Sequence, residues 1–175
     1  KKVFVDLKFF DVPETVGRTI ARLSGYGATF ATIHGNQALM EKASANKNNL
    51  KILAVTALTS LDRGDLDDLG FECDVQDLVI SRAKRAFEAG CDGIVSSGLE
   101  VPFIREFVDN KLICVTPGIR PVANNDDQKR VVDVATAFES GSDYIVVGRP
   151  IKNAANRYEA ASNIQKIIKK TFESV

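Results

Sequence analysis

Short runs of β-branched and aromatic residues recur along the chain, and each is followed by a stretch whose apolar residues are three or four positions apart. Alternation with a period of two predicts strands, and the longer spacing predicts helices. Six strands are predicted, near residues 3, 28, 51, 92, 112 and 143. The clearest helices are predicted over residues 15–23, 76–89 and 154–170. Strands and helices that alternate in this way indicate βαβ units and a parallel sheet.

Glycine marks several junctions between a predicted helix and the strand that follows it. Gly27, Gly90 and Gly141 each come just before a strand. A helix that ends in the left-handed conformation favours glycine at this position. The glycines therefore support the same boundaries as the hydrophobic pattern.

Polar residues and glycines gather where the predicted strands end. They are Asp6 and Lys8, His34 and Gly35, Thr59 and Ser60, residues 96–98 and 117–120, and Gly148 and Arg149. In parallel α/β folds, and above all in (β/α)8 barrels, the carboxyl ends of the strands carry the active site. We therefore expect these residues to converge in space.

The composition limits the kinds of partner that the chain can bind. Its 175 residues are 45% hydrophobic and 26% charged, with a formal net charge of zero. This is typical of one soluble globular domain, which we assign to residues 1–175. Balanced charge creates no field that would favour nucleic acid or an anionic membrane, so we expect neither partner and predict a small ligand. No apolar run approaches the ~20 residues of a membrane-spanning helix.

Cysteine usage indicates a reducing compartment. The chain has three cysteines, Cys73, Cys91 and Cys114, an odd number without Cys-x-x-Cys spacing. We interpret them as buried structural thiols. We expect no metal site, and we predict a cytoplasmic location.

The segment VFVDLKFFD places Asp6, Lys8 and Asp11 close together at the end of the first predicted strand. One interpretation is an exposed ion pair on an edge strand, which stabilises a protein little. The other is a buried array in which Lys8 stays protonated between carboxylates and delivers a proton to a carbanion. The carboxyl end of a barrel strand favours the second interpretation, so the three residues are predicted to be catalytic.

Two further segments predict a phosphate site. Gly148 and Arg149 follow the apolar run YIVV, where backbone N–H groups and a guanidinium suit a phosphate dianion. The alternative is a glycine turn with an exposed arginine. The loop PGIRPVANNDDQ, residues 117–128, is long enough for a lid that brings Arg120 and Gln128 to the phosphate. A disordered surface loop is the alternative there.

Other polar residues are less specific. His34, the only histidine, is interpreted as a hydrogen-bonded structural residue outside the mechanism. Thr56, Thr59 and Ser60, in the segment VTALTS, carry hydroxyls that suit the polar edge of a base.

Four motifs, in this order, resemble those of the orotidine 5'-monophosphate decarboxylase family. They are VFVDLKFFDVPETV, AVTALTS, VTPGIRP with a following DQKR, and DYIVVGRPI. The resemblance runs over essentially the whole chain. The DxKxxD element alone is also carried by the related 3-keto-L-gulonate-phosphate and hexulose-phosphate enzymes, so the other three motifs give the resemblance its specificity.

The resemblance implies a (β/α)8 TIM barrel that forms a homodimer with its sites at the interface. It implies decarboxylation of orotidine 5'-monophosphate to UMP, without a cofactor. Asp6 would press its charge against the substrate carboxylate, and Lys8 would protonate C6 of the pyrimidine after CO2 leaves. The remaining roles implied by the resemblance are Asp11, Val12 and Thr15 reaching the partner's site, Thr59 at the pyrimidine, and Arg120, Gln128, Gly148 and Arg149 at the phosphate.

The chain also departs from the family pattern. A (β/α)8 barrel rarely has fewer than ~200 residues. This chain begins at what would be the third strand, so the family's first two βα units have no counterpart here. The aspartate and the lysine that the family carries after those two strands have no counterpart either. Phe10 stands where the family has histidine, and Glu14 where it has asparagine. We therefore expect that the 175 residues are the C-terminal part of a longer polypeptide, or that the N-terminal segment is a separate piece. If the chain stands alone, we expect little or no decarboxylase activity.

Two alternatives stay open. The first is a sugar-phosphate decarboxylase or aldolase of the same wider group, which would use a divalent metal; VTALTS and PGIRP speak against it. The second is a non-catalytic remnant that binds nucleotides.

Overall fold

The computed structural model describes residues 1–120 and 130–173. The strands are β1 Phe4–Phe9, β2 Phe30–His34, β3 Lys51–Val55, β4 Gly93–Val95, β5 Ile113–Thr116 and β6 Tyr144–Ile145. The helices are α1 Pro13–Ser24, α2 Gln37–Asn46, α3 Arg63–Asp68, α4 Val75–Glu88, α5 Val101–Phe107, α6 Val134–Glu139, α7 Arg149–Lys152 and α8 Arg157–Glu173. All six strands are parallel and lie in chain order in one sheet, which forms half of a barrel.

All six predicted strands and the three predicted helices are confirmed. The helices α1, α4 and α8 overlap the predicted ranges and differ from them by a few residues at their ends. The left-handed glycines are confirmed too, because the φ angles of Gly27, Gly90 and Gly141 are 73°, 78° and 99°. The hydrophobic pattern therefore located the framework of the fold correctly.

Strand alternation divides the core into two layers. In β3, Ile52 and Ala54 point toward the helices and join the larger cluster of buried apolar side chains. Leu53 and Val55 point to the opposite face, where they pack with Phe30 and with apolar side chains of β4 and β5. The second layer lies on the inner face of the half-barrel and forms the base on which the candidate site is built.

Close backbone packing requires glycine at the start of β4. A Cβ atom added to Gly93 would lie 2.3 Å from the carbonyl oxygen of Ile113 and 2.8 Å from Leu53 Cδ2. Any side chain there would separate β4 from β5, so this glycine allows the two strands to pair.

The interpretation of the cysteines as buried thiols is confirmed for Cys91 and Cys114, whereas Cys73 is only partly buried. Burial raises the pKa of both Cys91 and Cys114 to about 11. Among the described residues, no helix is both long enough and apolar enough to cross a membrane.

Candidate active site

A cavity of about 420 Å³ opens at the carboxyl ends of the strands. Its apolar floor is provided by Phe4, Val55, Val95 and Val146. Its polar wall includes six of the residues predicted from the sequence: Asp6, Lys8, Thr59, Arg120, Gly148 and Arg149. The expectation that polar strand ends converge is therefore confirmed for β1, β3, β5 and β6.

An ion pair between Lys8 and Asp6 occupies the β1 side of the cavity. Lys8 Nζ lies 2.8 Å from Asp6 Oδ2, and the two side chains are 39% and 40% exposed. Lys8 has a φ angle of 50°, in the left-handed region that a residue other than glycine enters at a cost of roughly 1–2 kcal/mol. The backbone at this position is therefore strained, and this conformation persists only where the surrounding structure holds it.

Thr32 of β2 contacts both members of this pair. The Lys8 backbone N–H donates to Thr32 Oγ1 at 2.9 Å, and the same hydroxyl donates to Asp6 Oδ1 at 2.9 Å. Thr32 is completely buried. The sequence reasoning missed this residue, because nothing in the local pattern distinguishes it from other strand threonines.

Asp11 lies apart from the pair within this chain. Its Oδ1 accepts the N–H of Val12 at 2.6 Å, immediately before α1 begins at Pro13. Asp11 and Val12 are exposed, and neither they nor Thr15 line the cavity in the described part of the chain. The predicted buried array of three charges is thus wrong for the single chain, because Asp11 is exposed and outside the described cavity and the Lys8–Asp6 pair is itself half-exposed.

The hydroxyls after β3 have separate roles. Thr59 is 9% exposed and lines the cavity together with Ser60. Thr56 is completely buried and donates its hydroxyl to the Val95 carbonyl at 2.9 Å. The interpretation of Thr56 as a reader of the base is therefore wrong, since its hydroxyl joins two strands.

Two arginines supply positive charge to the cavity wall. Arg149 begins α7, directly after Gly148, and a Cβ atom added to Gly148 would meet nothing within 4 Å. Arg120 is 7% exposed, and its Nη1 donates to the Ile119 carbonyl at 2.8 Å. Gln128 and most of the predicted lid, residues 121–128, lie outside the described residues.

A second ion pair, also missed from the sequence, connects the loops around the cavity. Arg130 Nη1 lies 2.5 Å from Glu100 Oε1, and the two side chains are only 11% and 7% exposed. Arg130 Nη2 donates to the Leu58 carbonyl at 2.7 Å, next to Thr59. Arg130 therefore ties the segment after residue 129 to the loop that follows β3, through Leu58, and to the loop that follows β4, through Glu100.

The two departures from the family pattern have local partners outside the cavity. The Phe10 ring packs against His34 with 4.5 Å between centroids, and His34 Nδ1 lies 2.7 Å from Asn36 Oδ1. Glu14 accepts a hydrogen bond from Lys42, which holds the pKa of the Glu14 carboxyl below its usual value. The contacts of His34 with Phe10 and Asn36 agree with its interpretation as a structural residue.

Comparisons with known proteins show what this chain is similar to. The model of a family described as "Orotidine 5'-phosphate decarboxylase / HUMPS family" matches residues 1–164. The orotidine 5'-phosphate decarboxylase of Methylococcus capsulatus is 65% identical over 174 residues, which cover 98% of this chain and 72% of that protein. The enzyme of the same name from Nitrobacter winogradskyi is 47% identical and is covered to 70%.

A solved structure agrees with these sequence relatives. The crystal structure of orotidine 5'-phosphate decarboxylase from Lactobacillus acidophilus matches with a TM-score of 0.82 at 34% identity. The match covers 95% of this chain and 75% of that one. The half-barrel described above is thus similar to the corresponding part of a known enzyme.

Proposed function

We infer the function from family membership, because the chain belongs to the orotidine 5'-phosphate decarboxylase / HUMPS family. Within that family its relatives at up to 65% identity carry the decarboxylase name. The chain is accordingly a carboxy-lyase of pyrimidine biosynthesis, and its reaction converts orotidine 5'-monophosphate to UMP. The observation that carries this conclusion is the 65% identity to a decarboxylase over 174 residues, and the Lys8–Asp6 pair and two arginines in one cavity agree with it.

The pair suits the chemistry of decarboxylation. When the bond to the carboxylate breaks, CO2 leaves and the electron pair stays on C6 of the pyrimidine. We propose that the Lys8 ammonium donates the proton that C6 then takes up, and that Asp6 repels the substrate carboxylate before it leaves. The repulsion from Asp6 raises the energy of the bound substrate and is relieved as CO2 leaves. The attraction of the Lys8 ammonium grows toward the transition state, where negative charge develops on C6.

The part of the cavity wall that carries the two arginines suits the phosphate. We propose that Arg149, the Gly148 backbone and Arg120 bind it, together with Gln128, and that Thr59 contacts the pyrimidine. A guanidinium forms charge-assisted bonds with phosphate oxygens. Binding energy gained at this remote group can then hold the reacting carbon beside Lys8.

We further propose that residues 1–175 form one domain, that its six strands are part of a (β/α)8 barrel without its first two units, and that the protein is a cytoplasmic homodimer. In this dimer Asp11, Val12 and Thr15 would reach the partner's site. The support is their location: Asp11 and Val12 lie on the turn that leaves β1 and Thr15 lies in the first turn of α1, all outside the described cavity of their own chain.

The test is turnover of orotidine 5'-monophosphate by the purified full-length polypeptide that contains these 175 residues, followed by loss of substrate absorbance and by release of CO2. We expect Lys8→Ala to lower kcat/KM by about 10³-fold or more while UMP still binds, because a general acid contributes roughly 10²–10⁴-fold. A wild-type protein that binds UMP without turnover would indicate the non-catalytic remnant. Turnover of a sugar phosphate only with a divalent metal would indicate the sugar-phosphate decarboxylase or aldolase.

Lys47→Ala provides a matched control. Lys47 also pairs with an aspartate, since its Nζ lies 2.9 Å from Asp92 Oδ2, but it does not line the cavity. We expect its kcat/KM to stay within about threefold of wild type, as for substitutions away from a site.

A further inference from the structure

We propose that Thr32 is a positioning residue that sets the geometry of the Lys8–Asp6 pair. The inference rests on the proposed function of that pair, and it assigns to a buried β2 residue a role in aiming the proton donor. Thr32 does not line the cavity in the described part of the chain. It therefore acts through Lys8 and Asp6 and not through contact with substrate.

The hydroxyl of Thr32 closes a ring of hydrogen bonds around the pair. Asp6 uses Oδ1 to accept from Thr32 and Oδ2 to accept from Lys8 Nζ. A threonine hydroxyl has a single proton. Since that proton goes to Asp6, the oxygen is left to accept the backbone N–H of Lys8. One side chain thus fixes the Asp6 carboxylate and the Lys8 backbone together.

The backbone of β1 needs such a fixed point. Val5 pairs with Ala31 and Phe9 pairs with Ile33, so four steps along β1 correspond to two steps along β2. Lys8 lies inside this irregular stretch with a φ angle of 50°. Its N–H binds the Thr32 side chain, which compensates for the regular pairing that the irregular stretch lacks.

Thr32 itself is rigidly placed. It is completely buried and pairs in register with Leu53 of β3, and its neighbours Ala31 and Ile33 are also completely buried. A buried side chain on a strand that is paired on both sides holds its two partners in one arrangement. Because misplacement of a reacting group by about 1 Å costs roughly 10²-fold in rate, loss of this anchor should appear in catalysis.

The experiment compares Thr32→Val with Thr32→Ser in the purified protein. Valine keeps the shape and removes both hydrogen bonds, whereas serine keeps the hydroxyl. We expect Thr32→Val to lower kcat by about 10²-fold with KM changed less than about threefold, and Thr32→Ser to retain kcat within about fivefold. Thr116→Val is the matched control: Thr116 is equally buried, its hydroxyl lies 2.6 Å from that of Ser142, and it does not line the cavity.

A second measurement does not depend on turnover. Hydrogen exchange of the Lys8 amide, followed by NMR, should accelerate at least about tenfold in Thr32→Val and stay near wild type in Thr32→Ser and Thr116→Val. Unchanged kcat in Thr32→Val, equal losses in the valine and serine variants, or an unchanged Lys8 amide would each overturn the proposal. If wild type fails to turn over orotidine 5'-monophosphate, the proposed function fails, while the Lys8 amide still decides whether Thr32 holds this backbone.

Discussion

Two lysine–aspartate pairs in this chain show how the same groups serve different purposes. Asp92 Oδ2 accepts from Lys47 Nζ and from the Ile52 N–H, both at 2.9 Å, and Lys47 also donates to the Gly90 carbonyl. That pair joins a helix end to two strands. Lys8, by contrast, donates to Asp6 and faces a cavity. A half-exposed pair of this kind stabilises the fold by only about 0–1 kcal/mol, so stability does not explain its placement.

The buried thiols predict a pH dependence with a definite sign. Burial raises the pKa of Cys91 and Cys114 to about 11, so the folded state favours the neutral thiol. An unfolded cysteine ionises near 8.5. The stability that these thiols contribute is therefore fully present below about pH 8.5 and is lost as the pH rises toward 11, by about 2–3 kcal/mol for each thiol.

Thiol labelling checks this prediction directly. At pH 8 we expect Cys91 and Cys114 to react with iodoacetamide at least about 100-fold more slowly than Cys73, because only about one thiol in a thousand is ionised at a pKa of 11. Their rates should rise with pH up to about 11. In the Cys73→Ser control the folded protein should take up almost no label at pH 8; rapid labelling of Cys91 would contradict the assignment.

The strands were predictable because their side chains alternate between two apolar layers, and the long helices because their apolar positions repeat. The helices α2, α3, α5, α6 and α7 were not singled out, since four to ten residues give too little periodicity. The cavity wall was predictable because its residues occupy strand ends. Thr32 and the Glu100–Arg130 pair were not, because their partners are 24 to 72 residues away in the chain.

Arg130, after β5, donates to the Leu58 carbonyl in the loop after β3 and is paired with the buried Glu100. The connection between these two loops therefore depends on a buried charge pair. Among the described residues, Glu100 Oε2 and Arg130 Nε have no hydrogen-bond partner, although both atoms are buried. Beyond Arg130, Val132 forms a parallel bridge with Ile119, and the Arg120 N–H donates to the Val132 carbonyl at 3.0 Å. The pair therefore helps to fix the segment around Val132, which in turn holds Ile119 and Arg120 through these backbone contacts.

We predict that Glu100→Gln destabilises the protein by about 3–5 kcal/mol, since it keeps the shape of Glu100 but leaves the Arg130 charge buried without its partner. Urea unfolding measures this change. Glu173→Gln is the control, because its pair with Lys169 is at 3.4 Å and mostly exposed; its loss should cost at most about 1 kcal/mol. A cost below about 1 kcal/mol for Glu100→Gln would show that the pair does not brace the loops.

The half-barrel presents apolar side chains beside the candidate site as well as beneath it. Leu7, Phe10 and Val12 are 69%, 68% and 62% exposed, and they lie on the same segment as Asp11. Exposed apolar residues grouped in this way are typical of protein interfaces. The grouping supports the proposed homodimer, in which this segment would lie against the partner's cavity.

A mixing experiment tests that arrangement. If Asp11 acts in the partner's site, homodimers of Lys8→Ala and of Asp11→Ala should both be nearly inactive. A hybrid dimer with one subunit of each should contain one site in which Lys8, Asp6 and the partner's Asp11 are all intact. The hybrid, purified through two different tags after co-expression, should therefore have about half the wild-type activity per dimer.

The matched control combines Lys8→Ala with Asp6→Ala. Since both residues contribute to the cavity of their own subunit, each site in this hybrid lacks one of them and no activity should return. Recovery in the first hybrid and none in the second would place Asp11 across the interface. An inactive first hybrid would mean that Asp11 acts within its own chain, and a monomer by light scattering would remove the dimer altogether. Because Asp11 accepts the Val12 N–H, is exposed and does not line the described cavity of its own chain, we expect the first outcome.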